Sequence, residues 1–289
     1  MPSLFVAVGQ DGLRLVSENG TDWSRQQMGR EGDTYRCTVF GNGRWVAVGS
    51  YGGENIMAVT TDGTKWETAK KAADYVRYFR GLGFDGKQFI GIGGDPGSVG
   101  ASKPFYSTSP DGLKWSDFAD IGGKHIIRRL AFGKGLIVGV GDRGRRMAAS
   151  DLTSWKDAPE AKAIETLVDV AFGNGKFVGV GLHGLRMTSD DGLTWSAKQT
   201  GEEGQHLNSV VWTGKQFVAI GVGATYFSSD GVTWEKKANK DAPTNCCFGG
   251  ALFAGSAWKG RILISQDAVA WREVHKNEKH VEAVCWGSV

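Results

Sequence analysis

A seven-residue phrase ending in tryptophan returns along the chain at intervals of about forty residues, the size of one blade in a radial repeat array. The copies are SENGTDW (17–23), TTDGTKW (60–66), SPDGLKW (109–115), ASDLTSW (149–155), SDDGLTW (189–195), SSDGVTW (228–234) and SQDAVAW (265–271). A second phrase precedes the heptads: VFGNGRWVAVG (39–49), GFDGKQFIGIG (83–93), AFGKGLIVGVG (131–141), VAFGNGKFVGVG (170–181) and VWTGKQFVAIG (211–221), with CFGGALFAGS (247–256) as a weaker copy. Apolar runs on either side of a Gly/Asn turn read as paired antiparallel strands. Each unit is therefore strand, tight turn, strand, loop, strand, heptad turn, strand.

The two ends of the sequence complete one another. It opens with a second strand, LFVAVGQDG, and finishes with an orphan first strand, HVEAVCWGSV (280–289). Joining them makes a whole unit and leaves no open sheet edge. The expectation is an all-β, seven-bladed β-propeller of four-stranded antiparallel blades, closed by the C-terminal strand. Residues 1–289 then form a single domain, with blade one built from about 1–27 plus 280–289. Composition agrees, since 44 glycines against 6 prolines suits many tight turns rather than a disordered Pro/Gly-rich chain.

Two kinds of motif look chemical and are read as structural. SDDGLTW offers adjacent carboxylates, but a catalytic pair has no need of a copy in every unit. GVGDRG (139–144) and GVGLHG (179–184) satisfy GxGxxG, yet a strand follows each where a dinucleotide site requires a helix. GGDPGSVGASKP (93–104) has no GK[ST] and is no phosphate loop. The sequon Asn19-Gly20-Thr21 coincides with a heptad turn.

On Ser189, Asp191, Gly192, Thr194 and Trp195, and their counterparts round the chain, the heptad resembles the Asp-box, or BNR repeat, of sialidases and many bacterial propellers. The resemblance covers essentially the whole chain, with a turn one residue shorter than the commonest form. It implies a structural turn between third and fourth strands, on the face opposite the ligand site. Asn19 replaces the aspartate in the first copy, and Leu152 and Ala268 replace the glycine in the fourth and seventh. A turn tolerates such drift. Sialidase chemistry is not expected, because the early Arg-Ile-Pro motif is absent and those enzymes resemble six-bladed rings.

Other classes are constrained by what the chain carries. A net charge of +3 is too small to point to nucleic acid. Cys37, Cys246, Cys247 and Cys285 lack metal-ligand spacing and read as buried free thiols, and no HxxxH-type pair appears, so neither metal nor cofactor is expected. No apolar run is long enough for a membrane span, and MPSLFVAVG lacks a signal peptide's charged segment. The compartment stays open between the cytoplasm and secretion after signal removal.

Function is sought on the face opposite the heptads, where the second-to-third-strand loops break the repeat. They expand to SYGGEN (50–55) and GDPGSVGASKP (94–104). Third strands begin with Arg14, Arg146 and Arg186 at one shared offset, and first strands carry Arg36, Arg80 and Arg128 at another, with Arg77, Arg129, Arg143 and Arg145 nearby. Such guanidinium groups either grip a carboxylate, sulfate or phosphate, or tie blades together by pairing with Asp11, Glu54, Asp142 or Asp169. Trp258, beside Lys259 and Arg261, is a candidate stacking platform, with Tyr51, Tyr78 and Tyr106 as further aromatics and His183 and His206 as loop histidines.

The leading expectation is a non-catalytic propeller binding a carbohydrate or another anionic, ring-containing ligand. Its candidate residues are Arg14, Arg36, Glu54, Arg80, Asp95, Arg128, Asp142, Arg146, His183, Arg186 and Trp258. The alternatives are a glycoside hydrolase or polysaccharide lyase using Glu54, Asp95 or Asp142, and a protein-interaction scaffold.

Overall fold

A computed structural model describes residues 3–74, 76–95, 102–159 and 161–288. They form seven four-stranded antiparallel sheets arranged as the blades of a propeller. Blade one orders its strands Val281–Ser288, Ser3–Gly9, Arg14–Ser17 and Arg25–Gln27 from the inside outwards. The C-terminal strand therefore pairs with the N-terminal one, Cys285 opposite Val6 and Trp286 opposite Phe5, and the ring closes. The inner strands of blades two to seven are Thr34–Gly41, Phe79–Phe84, Ile127–Gly133, Leu167–Gly173, Leu207–Trp212 and Asn245–Gly249. Each packs on the next round a central channel.

The heptad turns staple neighbouring blades together. Asp191 Oδ1 accepts the Leu193 and Thr194 N–H groups at 2.8 and 2.7 Å, Ser189 Oγ accepts the Gly192 N–H at 2.8 Å, and the Trp195 indole donates to the Gly192 carbonyl at 2.9 Å. Gly192 sits at φ +75°, and a Cβ there would lie 2.4 Å from Val138 of the preceding blade. Conformation and space together demand glycine. Trp195 packs into the same seam, against the cluster of Val138, Ala148 and Phe177. Blade one keeps this pattern with an amide, Asn19 Oδ1 accepting from Thr21 and Asp22. In blade seven Ala268 takes the glycine's place at φ +58°. Blade four departs from it: Leu152 does not adopt positive φ, and the buried Trp155 indole N–H finds no acceptor among the described residues.

These turns make a pH prediction. Backbone N–H bonds hold the Asp62, Asp191 and Asp230 carboxyls down at about 2. A carboxyl depressed by folding adds stability that is complete above its unfolded range and lost as pH falls through its folded value. Melting temperature should therefore decline between about pH 4 and pH 2. Changing all three to Asn, the residue blade one already uses, should flatten that decline at little cost near neutrality. An unchanged acid limb in the triple variant would refute the assignment.

The far end of each inner strand carries an aromatic residue: Phe40, Phe84, Phe132, Phe172, Trp212, Phe248 and Trp286. Their rings lie over backbone that has no side chain. A Cβ on Gly41, Gly133, Gly173, Gly249 or Gly287 would fall within about 2.4 Å of Phe84, Phe172, Trp212, Trp286 or Phe40. This girdle shares its face with the heptad turns. The channel mouth opens on the other face, with the second-to-third-strand turns and the blade-to-blade connections.

Candidate functional site at the channel mouth

At the mouth the inner strands of blades one to six each gain a residue, while that of blade seven pairs without a shift. The pairing runs Tyr35 with Gly49 and then Cys37 with Val48, so Arg36 is bulged out of the ladder. Arg80 and Arg128 are bulged identically in blades three and four, and Val168, Asn208 and Glu282 occupy the position in blades five, six and one. The shared sequence offset of Arg36, Arg80 and Arg128 is thus a shared place on the ring. A cavity of about 220 Å³ lies within, lined by inner-strand residues of every blade, Arg36, Arg128, Arg129 and Asp169 among them.

The charges there are incompletely matched. Arg128 grips Asp142 through two nitrogens, and the Arg129 Nε lies 3.8 Å from Asp169. Among the described residues Arg36 pairs with Glu282 alone, at 3.9 Å. Arg80 is pushed below the usual arginine range by burial, then by repulsion from Arg36 and Arg128, with Asp95 and Tyr78 opposing. The buried Nε atoms of Arg36 and Arg80 have no acceptor among the described residues. Burying a charged donor without an acceptor is costly. The mouth therefore holds concentrated positive charge with donors unspent.

Asp169 is the carboxylate that sequence reading placed only among possible pairing partners. Burial raises its pKa, although it accepts from Val170 N and Val210 N at 2.9 Å each and from Ser209 Oγ at 3.2 Å. An Asp interrupting the apolar LVDVAF of an inner strand was the available signal. The cysteines are unbonded to one another and all lie on inner strands. Burial raises Cys37 and carries Cys285 to about 12, so these thiols are poor nucleophiles.

Arg14, Arg146 and Arg186 stand elsewhere, buried in the seams. Arg14 donates to the Gly12 and Met28 carbonyls and lies 5.5 Å from the Trp66 ring. Arg146 donates to the Glu165 carbonyl and lies 5.7 Å from Trp195. Arg186 donates to the Gly184 carbonyl and Gln199 and stacks over Tyr226 at 4.0 Å. Each reaches the heptad tryptophan of the next blade, Arg186 touching Trp234 at 5.7 Å. Their shared offset expresses a cation–π contact across the seam.

On the rim, Trp258 is 69% exposed and stacks one face on His280, with ring centroids 5.6 Å apart. Its neighbour Arg261 is committed to Asp241. His183 and His206 meet edge to face, the His206 Nδ1 accepting the His183 N–H and the His183 Nδ1 accepting the Gly204 N–H. Arg77 pairs with Asp74 and Asp120. Tyr106 packs on Trp155. Glu54 is held below the ordinary carboxylate range by Lys70 and then Arg30. The expected loop at 50–55 is instead a projecting hairpin, strands Arg44–Tyr51 and Glu54–Thr60 joined by Gly52 and Gly53, both at positive φ. Of the expected wall at 94–104, residues 96–101 lie outside the described residues, while the Asp95 N–H donates to the Ser102 carbonyl at its base.

No family model and no curated protein matches the sequence. Solved structures do resemble the fold. "YCF48 bound to D1 peptide" superposes with a TM-score of 0.62 at 15% identity, over 91% of this chain and 85% of that one. A computationally designed protein, Ika8, gives 0.63 at 14%, over 97% and 86%. The WD40 β-propeller domain of Doa1 gives 0.62 at 10%, over 86% and 85%. Likeness at such identities establishes the propeller architecture.

Proposed function

We propose that this propeller is a binding module that receives an acidic segment of a partner protein over the channel mouth, a carboxylate seating between Arg36, Arg80 and Arg128. The observation that carries this reading is the cluster of three part-buried guanidinium groups, Arg80 repelled by the other two, in which the buried Nε atoms of Arg36 and Arg80 have no acceptor among the described residues. A second supports a macromolecular partner. Of the exposed large apolar side chains among the described residues, Met28, Tyr51, Ile164, Val222 and Trp258 lie on the mouth face, and Val232 alone on a heptad turn. Apolar contacts around a charged centre suit protein docking. One solved structure of this fold is titled as bound to a peptide, which agrees with the reading.

The resemblance to Asp-box proteins leaves a carbohydrate or another ring-containing ligand as the second reading, favoured by the free face of Trp258. A hydrolase or lyase is less supported. A general acid needs a raised pKa on an open rim, and Glu54 is shifted the opposite way.

Labelled hexaglutamate should bind at low salt and weaken as salt rises, and hexalysine should not bind. Arg80→Gln should lower hexaglutamate affinity by about tenfold or more, whereas Lys134→Gln, on the heptad face, should not. Equal losses in both variants, or no binding at all, would overturn the proposal.

A further inference from the structure

Each blade turns its inner edge to the channel and its outer edge to the perimeter, where unpaired backbone N–H and C=O groups form a template for another strand. Round most of the ring the outer strands are short or irregular. Those of blades one, three and four are Arg25–Gln27, Ala119–Asp120 and Lys156–Asp157, of two or three residues. Those of blades five and seven, Trp195–Gln199 and Arg272–Lys276, are broken by a register shift. Blade six offers four residues, Glu235–Ala238. Blade two differs: Glu67–Ala72 pairs with the third strand over six residues with no shift.

The ladder fixes which groups of that strand point outwards. Ala73 N–H donates to the Gly53 carbonyl at 2.8 Å, in register with the strand pairs. Antiparallel pairing alternates bonded and non-bonded residues, so Glu67, Ala69 and Lys71 spend their backbone groups on the third strand. Thr68 and Lys70 turn theirs to the perimeter. Both are exposed, and among the described residues no other backbone group bonds to them from that side. Lysines often guard such an edge. Here Lys70 is bound to Glu54 at 2.9 Å, and Lys71 lies 3.6 Å from Asp117 and 4.9 Å from the Phe118 ring. Each is drawn onto a face of the sheet, away from the edge.

We infer that this edge is a self-association surface, on which a second copy of the chain lays its own Glu67–Ala72 strand antiparallel and makes two blades one continuous sheet. Charge selects the register. With Ala69 on the two-fold axis, Thr68 of each copy exchanges backbone bonds with Lys70 of the other, and Glu67 stands opposite Lys71 at both crossings. Centring on Lys70 instead would set that lysine against its own copy, and like charges directly opposite destabilise a sheet. The strand is complementary to itself in one register. This surface is separate from the channel mouth and does not depend on what binds there.

Sedimentation of the full chain over rising concentration should show monomers passing into dimers. Lys70→Pro removes an outward N–H and no bond to the third strand, a change that edge positions tolerate, and should weaken the dimer by about tenfold or more. Charge reversal tests the register without touching the backbone. Glu67→Lys alone and Lys71→Glu alone each place like charges at both crossings, and each should weaken self-association by about tenfold. An equimolar mixture of those two variants restores opposite charges at both crossings and should dimerise as the parent does. A monomer at every concentration, a dimer indifferent to the single reversals, or a mixture no tighter than its components would each overturn the inference.

Discussion

Gly49→Ala is expected to cost about 3 kcal/mol of folding stability and to weaken anion binding in whatever fraction still folds. The residue lies near the end of the second strand of blade two, opposite the bulge that carries Arg36. A Cβ there would lie 1.8 Å from the Thr34 carbonyl oxygen and 2.7 Å from the Tyr35 Cα. Backbone cannot rotate aside as a flexible side chain would, so relief requires the strand and its bulge to separate. Arg36 moves with that bulge. Gly52→Ala is the control: the residue has positive φ, yet nothing lies within 4 Å of its Cβ position, so only backbone strain of about 1 kcal/mol is expected. Urea denaturation of both variants decides the matter. Equal small costs would show that the close approach is not what selects glycine.

The same contact recurs round the ring, at Gly9, Gly93, Gly141, Gly181 and Gly221, each within 2.2 Å of a carbonyl oxygen preceding or opening an inner strand. This explains why a dinucleotide-like GxGxxG appears in a chain with no helix after it. Gly141 and Gly181 make room for the bulge, and Gly144 and Gly184 take positive φ in the following turn. The spacing was legible in the sequence because it repeats. Its cause was not, because the clashing carbonyl belongs to a strand that begins many residues earlier.

The site was legible to the same degree and for the same reason. A common offset marked Arg36, Arg80 and Arg128 as equivalent, and inner-strand equivalence in a closed ring places them round one opening. An identical argument grouped Arg14, Arg146 and Arg186, and there equivalence led into the seams. Sequence spacing reports which blade position a residue occupies. Whether the side chain meets solvent or a neighbour's tryptophan depends on a blade about forty residues away.

Arg80→Met is expected to stabilise the fold by about 1–2 kcal/mol while removing most of the affinity for an acidic segment. Arg80 is half-buried, repelled by Arg36 and Arg128, and its Nε has no acceptor among the described residues; Asp95 and Tyr78 oppose those costs without cancelling them. A side chain of similar length without charge keeps the packing and removes both penalties. A structural arginine behaves otherwise. Arg186 also has a buried Nε without an acceptor among the described residues, but its Nη atoms bond the Gly184 carbonyl and Gln199 and it stacks at 4.0 Å on Tyr226 with no like charge beside it, so it should lose stability on the same change to Met. Opposite signs at the two arginines would mark the channel mouth as strain retained for binding, and a destabilised Arg80→Met would place Arg80 among the seam residues and remove the main support for an anion site there.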